Sequence, residues 1–364
     1  MMVIDELVGN IMKKKIIIIS TSVLIFLAVI SMAIFFPLYG KEHIEVWSYG
    51  QEFYIDNIQS LEKNPNEDFT ILQLSDIQLW MNIGDNQDTL QMIRELVDRT
   101  KPNLIILVGD NVSGLFTNLL LIRLIGILDS FEIPWAPVFG NHDVEGKATL
   151  NWQGDKFEES EYCLFKKGPS NLYGVGNYVI NITENSNIVQ TLFFFDNGRY
   201  YNYDKDTKKE IYMGYEQMAW YKWNIEGIAE VKGEVVPSMT FSHFAIPEFA
   251  TAIETLAVIG EDGRYYVPEE LGFGSCLYIP GVAPVNSGFF DLCKELGSTH
   301  SMFFGHDHEN DASIKYEGIN LTYGLKSGPS PAPWNNAEKY GGTTIVINGE
   351  STNYSIDIVH EIES

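Results

Sequence analysis

Positive charge is what this sequence has least of. Lysine and arginine together number 24 against 49 aspartates and glutamates, a formal net charge of −25 over 364 residues. That balance excludes a nucleic-acid backbone as the main partner, because no basic surface could offset it. It also excludes an anion site built from Lys and Arg, so bound cations would have to supply positive charge locally at any phosphate group. Cysteine is scarce as well. Cys163, Cys276 and Cys293 form no CxxC and no framework, so disulfides are not what holds the chain together. There is no internal repeat, low-complexity tract, P-loop, HExxH or nucleophile elbow. Asp204-Lys205-Asp206-Thr207-Lys208-Lys209 lacks the glycine that a calcium loop requires, and reads as a solvated hairpin tip. Apolar residues, at 45%, are ample for one large domain or two ordinary ones.

Long apolar runs are equally rare, and one matters. Lys13-Lys14-Lys15 precede an uncharged apolar stretch over residues 16–39. At about 1.5 Å per residue it makes a helix of roughly 36 Å, enough for a bilayer core of about 30 Å. It outruns a usual signal-peptide core, and the apolar residues continue through the possible cleavage site Ser31-Met32-Ala33. The reading is an uncleaved single-pass anchor, with secretion after cleavage as the alternative. The lysines stay cytoplasmic, which places everything after Tyr39 outside. Met12 before three lysines also reads as a start in its own right. The division expected is therefore 1–40 as cytoplasmic tip and anchor, 41–68 as a connector or stalk, and 69–364 as the folded body.

In the body a rhythm begins. Residues 69–74, 104–108 and 135–139 read as strands, each running into a polar loop. Residues 89–99 and 118–128 between them carry helical periodicity, the second apolar on most faces and so expected to be buried. Strand, polar loop, helix, repeated, predicts an α/β fold with function at the carboxyl ends of strands. Further on, 152–167 and 213–230 read as helices and 172–182 as a strand pair. Residues 191–195 and 238–242 read as strands, and 251–284 as an insertion without clear period. The segments 320–323, 343–348 and 354–359 are expected to complete a second sheet.

The loop Gly305-His306-Asp307-His308 follows the apolar run Ser301-Met302-Phe303-Phe304. Two histidines one residue apart, just past a buried strand, can aim both rings to one side, and neutral imidazole is the commonest nitrogen ligand of divalent ions. Asp76, Asp110, Asn141 and His243 each lie at or just beyond the end of another such run. Taken singly, Asp110 beside Gly109 and Asn141 beside Gly140 read as turn residues, and His243 as a core histidine. Asp143 reads equally as a helix cap or as a group orienting His142. Jointly, five strand ends bearing carboxylate, amide and imidazole read as a metal cluster.

The order Asp76-Ile77-Gln78, Gly109-Asp110-Asn111, Gly140-Asn141-His142-Asp143, a lone His243 after a strand, and Gly305-His306-Asp307-His308 resembles the calcineurin-like metallophosphoesterase superfamily. The resemblance runs over residues 69–348, and the phrases from Phe241 to Phe249 and from Gly305 to Asp311 look like the branch close to purple acid phosphatases. It implies a two-sheet αββα sandwich and two divalent or trivalent metal ions, of Mn, Fe, Zn or Co. By resemblance, Asp76, Gln78, Asp110 and His308 hold the first, and Asp110 bridges to a second held by Asn141, His243 and His306. Such a pair lowers the pKa of a shared water from 15.7 toward about 7 for in-line attack on a phosphate ester. His142 would contact phosphate and protonate the leaving oxygen, with Asp143 beside it. Gln78 stands where histidine is usual, an amide being a poorer donor, and Ser113 stands where some relatives carry an aspartate paired to the catalytic histidine. The implied function is a membrane-anchored, extracytoplasmic phosphohydrolase acting on a phosphorylated substrate. Alternatives are a phosphodiesterase or nucleotide hydrolase on the same site, or a pseudo-phosphatase that only binds. The segments 260–287 and 326–336 are expected to decide the substrate.

Overall fold

Three apolar runs, Phe69–Leu74, Leu104–Val108 and Trp135–Val138, form parallel strands side by side in that order. Nearly every residue in them is buried, as parallel strands covered on both faces must be. The computed structural model describes residues 12–15, 17–26, 28, 36–81, 83–198, 213–329, 339–348 and 355–362. The helices Ile83–Thr100 and Thr117–Asp129 link these strands in turn. A second sheet of eight strands runs in the order Gln59–Glu62, Tyr178–Glu184, Asn187–Phe195, Ser238–Ser242, Thr299–Phe304, Ile319–Tyr323, Ser313–Tyr316, Gly272–Phe273. Its four central strands, from Asn187–Phe195 to Ile319–Tyr323, are parallel. The helices Tyr215–Lys232, Pro247–Leu256 and Phe289–Leu296 connect its later strands.

Period-two alternation divides the core between layers. From one strand, Phe194 joins the cluster that includes Ile71, Leu107 and Phe303, while Phe193 and Phe195 join Trp220, Tyr221 and Phe289 beneath the helices. On the inter-sheet face Tyr178, Phe194, Phe241 and Phe303 stack across four adjacent strands, with centroids 4.4, 5.3 and 5.0 Å apart. Tyr178 Oη donates to the Pro137 carbonyl (2.7 Å), a hydrogen bond from one sheet to the other.

Several expectations need correction. The C-terminal strands Gly341–Asn348 and Ser355–Ile362 do not complete the second sheet. They form a hairpin that adds antiparallel to Phe69–Leu74, giving a five-stranded first sheet, because that strand's free edge offered unpaired backbone. The connector is no stalk: Gln59–Glu62 pairs parallel with Tyr178–Glu184, Trp47 is buried, and Leu38 bridges to Ala148. Helix Thr117–Asp129 is buried on one face only, through Leu121, Leu124 and Leu128, and leaves Leu119 and Ile122 exposed at 54% and 50%. Residues 172–177 are turns leading into one strand rather than a pair, and the helix from Leu150 stops at Glu158. The insertion contains the helix Pro247–Leu256, opened by a proline whose missing N–H costs nothing at a helix start, and a small three-stranded sheet. Residues 204–209 lie outside the described residues. So do residues 16, 27 and 29–35 of the apolar N-terminal stretch. Residues 12–15, 17–26 and 28 are helical, and among the described residues no helix is long and apolar enough to cross a membrane.

Candidate metal centre

Five strands, three from one sheet and two from the other, end on one side of the molecule, and the loops beyond them meet. Beyond Phe69–Leu74 come Asp76 and Gln78, beyond Leu104–Val108 comes Asp110, and beyond Trp135–Val138 come Asn141 and His142. From the second sheet, Ser238–Ser242 leads to His243 and Thr299–Phe304 to His306 and His308. All seven residues expected as ligands are thereby brought together. Asp110 Oδ2 lies 3.4 Å from His243 Nε2 and 3.3 Å from Gln78 Nε2. His308 Nε2 is 3.3 Å from Asp76 Oδ1 and 3.3 Å from Gln78 Nε2, and His243 Nε2 is 3.1 Å from Asn141 Oδ1. Ligand atoms of Asp110, His243 and His306 all fall within 4.8 Å of one another.

The backbone is bent to make this possible. Asp76 (φ 54°), Gln78 (φ 45°), Asp110 (φ 50°) and His306 (φ 73°) all sit in the left-handed region, which costs roughly 1–3 kcal/mol per residue and gathers at functional sites. The glycines of the motifs serve closeness. A Cβ on Gly109 would stand 2.4 Å from His243 Nδ1, and one on Gly140 would stand 2.3 Å from Asp110 Oδ1. Each ligand of one loop therefore occupies the place where a neighbouring loop's side chain would begin.

Backbone N–H groups aim the carboxylates. His142 N donates to Asp110 Oδ1 (2.7 Å), and His306 N donates to Asp76 Oδ2 (2.9 Å). His243 Nδ1 donates to the Val108 carbonyl (2.9 Å), which leaves Nε2 facing Asn141 and Asp110. Burial would raise the Asp110 carboxyl, but the charges of His243 and His142 outweigh it and hold it well below the usual carboxylate range. Burial likewise works against a charged His243, yet Asp110 drives it up to about 9. His306 is the converse: burial, helped by His243, pushes it down to about 3, so its ring stays neutral.

Asp143 takes no part in lining this cluster. Fully buried, its carboxylate accepts from Gly140 N (2.8 Å), Val112 N (3.1 Å) and Asn111 Nδ2 (3.2 Å), tying the second and third loops together. Burial and the charge of Asp110 push its carboxyl up to about 7. His142 reaches toward the cluster, Nε2 standing 3.8 Å from Asp110 Oδ2. Two contributors escaped the sequence reading. Glu145 Oε1 lies 2.6 Å from His142 Nδ1, a contact that the His-x-x-Glu spacing on one turn could have signalled. Lys326 Nζ donates to the Asp76 carbonyl (2.7 Å), and nothing local to position 326 announces that. The remaining histidines lie elsewhere: His43 meets Gly168, His300 meets Gln190, and His360 meets Asp311.

The calcineurin-like phosphoesterase family model matches residues 69–310, two thirds of the chain and every loop just described. This chain belongs to the calcineurin-like phosphoesterase family. Its relatives include a phosphatase and several proteins named as probable inactive purple acid phosphatases. The phosphatase DCR2 of Saccharomyces cerevisiae is 29% identical over 285 residues, covering 71% of this chain and 47% of the yeast protein. The chain thus spans about half the length of that relative. Probable inactive purple acid phosphatase 14 of Arabidopsis thaliana is 24% identical over 332 residues, covering 81% of this chain and 78% of the plant protein. A dimetal phosphatase from Danio rerio superposes with a TM-score of 0.50 at 10% identity, over 80% of this chain and 98% of that one, a likeness of fold.

Calcineurin-like phosphoesterases use binuclear metal centres, and the donor chemistry of this member fits one. Carboxylate, amide and imidazole suit first-row divalent ions. Asp76 and Asp110 are 2% and 1% exposed, and among the described residues no Lys or Arg forms an ion pair with either. Two buried carboxylates so placed call for a cation. A half-turn of the Gln78 amide puts its oxygen where Nε2 now stands between Asp110 and His308.

Proposed function

We propose that this calcineurin-like phosphoesterase is an active, binuclear metal-dependent phosphohydrolase. The observation that carries the reading is the convergence of seven donor side chains from two sheets, four of them on left-handed backbone, around two buried carboxylates. Asp76, Gln78, Asp110 and His308 would hold one ion, and Asp110, Asn141, His243 and His306 the other, either of them Mn, Fe, Zn or Co. Bound cations supply the charge that phosphoryl oxygens need and acidify the attacking water. The chain's own residues do the rest. His142, one residue beyond Asn141 and 17% exposed, delivers a proton from Nε2 to the leaving oxygen. Asp143 keeps the loops after Leu104–Val108 and Trp135–Val138 in register and touches no reacting atom.

The test is metal content of the purified protein, measured with hydrolysis of an aryl phosphate and an aryl phosphodiester. Two ions per chain with turnover of either ester supports the reading, and the preferred ester separates phosphatase from phosphodiesterase. The competing reading is a pseudo-phosphatase, favoured by Gln78 at a position where imidazole would bind more strongly. It expects one ion or none and no turnover of either ester.

The proposal includes location. Lys13-Lys14-Lys15 ahead of the apolar stretch support an anchor with the body outside. Protease added to intact cells should then remove the body; a protected body would overturn the topology.

A further inference from the structure

We propose that Glu145 is the positioning residue for His142, holding the ring by Nδ1 so that Nε2 faces the metal cluster; this rests on the reading of His142 as proton donor. His142 to Val144 form a single 3-10 turn and Glu145 is its C-terminal cap, so residues three apart stand one above the other. On that turn Glu145 Oε1 meets His142 Nδ1 at 2.6 Å. The second carboxylate oxygen accepts from Gly114 N at 2.7 Å, in the loop that began with Asp110. That anchor is itself firm. Gly114 has φ +79°, and a Cβ there would stand 2.5 Å from the Trp80 indole nitrogen, so the loop is packed against that ring.

A carboxylate can only accept, so the nitrogen it faces carries the hydrogen and donates. Nδ1 is thereby committed to Glu145, and the nitrogen left facing Asp110, 3.8 Å away, is Nε2. The side chain is 17% exposed, so a directed hydrogen bond at Nδ1 fixes which edge of the ring turns toward the cluster. Ser113, the residue just before Glu145's backbone anchor Gly114, contributes no substitute: its hydroxyl is buried and has no hydrogen-bond partner among the described residues. Glu145 is thus a carboxylate that meets this ring at hydrogen-bond distance and is itself tied to the Asp110 loop.

The experiment compares Glu145→Gln, His142→Ala and the double variant, each as the full chain, with an aryl and an alkyl phosphate. Glu145→Gln should lower kcat for the alkyl ester by about 10- to 100-fold, with KM little changed. The activated aryl ester should lose less than about threefold, because it needs little protonation. Both ions and the parent's melting temperature should be retained, and the double variant should be no slower than His142→Ala. A second measurement does not depend on turnover. In 15N-histidine NMR of the metal-free chain, the Nδ1–H signal of His142 should be present in the parent and lost in Glu145→Ala, which leaves no acceptor at that position. Equal losses for both esters, multiplicative effects in the double variant, or an unchanged His142 signal would each overturn the proposal. If His142→Ala discriminates between the esters and Glu145→Gln does not, this inference fails alone. If His142→Ala fails to discriminate, the proton-donor reading falls and this inference falls with it.

Discussion

On the five-stranded side the loops carry Asp76, Gln78, Asp110 and Asn141, all oxygen donors; on the eight-stranded side they carry His243, His306 and His308, all imidazoles. The two sides also differ in what orients their donors besides hydrogen bonds. The carboxylates of Asp76 and Asp110 are aimed by backbone N–H groups of His306 and His142, hydrogen bonds with a defined direction. On the imidazole side ring packing is added to such bonds: His243 donates from Nδ1 to Val108, and Phe244 lies 5.0 Å from His243 and 4.5 Å from His306, centroid to centroid. Their cores differ to match. The strands behind Asp76 and Asp110 are largely aliphatic, and those behind His243 and His306 carry Phe241, Phe303 and Phe304. Neither side is complete alone, since His306 N serves Asp76 and His243 Nδ1 serves Val108 across the gap. A carboxylate is aimed by directed donors alone, whereas a ring can take a directed partner at one nitrogen and packing on its face.

If Asp110 joins the two sides, its loss should exceed any other. Asp110→Asn is expected to abolish hydrolysis and to release at least one ion, measured by turnover and metal analysis. Near-parent turnover with two ions would show that the halves bind independently.

Gln78 tests the oxygen side alone. Gln78→Ala should raise the metal concentration needed for full activity by about tenfold or more, while the ion held by Asn141, His243 and His306 stays bound. Gln78→His should lower that requirement, by supplying imidazole at the same strand end. Identical titrations for both variants and the parent would remove Gln78 from the centre.

Packing tests the imidazole side. Phe241 belongs to the stacked inter-sheet row two residues before His243, and Phe241→Leu should cost about 1–3 kcal/mol of stability. It should also weaken the ion bound by His243 and His306 more than the one bound by Asp76 and Gln78. Uniform weakening of both ions would contradict ring packing as the restraint.

The effect most distant from the centre concerns acid stability. Burial pushes His300, on the eight-stranded side far from the loops, down to about 4 from an ordinary 6.5. The unfolded chain therefore binds a proton below about pH 6.5 that the folded chain refuses until about pH 4. Its contribution to stability is intact above pH 6.5 and is lost as pH falls through that window. His300→Asn at saturating metal should flatten the decline between pH 6.5 and 4 by up to about 3 kcal/mol. An unchanged slope in denaturation measured against pH would place the acid sensitivity elsewhere.

The ligand loops were legible because each is short and local: an apolar run, often a glycine, then a donor, as in Gly109-Asp110 and Gly140-Asn141. The buried strands were legible as continuous apolar runs, and helical spacing over 89–99 marked the helix, which begins six residues earlier at Ile83 and ends at Thr100. What strands join is not local. Gly341–Asn348 reads as a strand wherever it pairs, and only the free edge of Phe69–Leu74 decided that it belongs to the first sheet. Gln59–Glu62 is too polar for its sequence to mark it as the edge of the second. Asp143 reads equally as a helix cap or as a group orienting His142, and tertiary structure turns its carboxylate toward Gly140 and Val112. Lys326 reaches Asp76 across 250 residues, a meeting that no window of sequence contains. The residue types that could hold a cation were determined by the sequence alone. Which atoms face one another was decided by the two sheets closing together, because direction in a side chain comes from its neighbours in space.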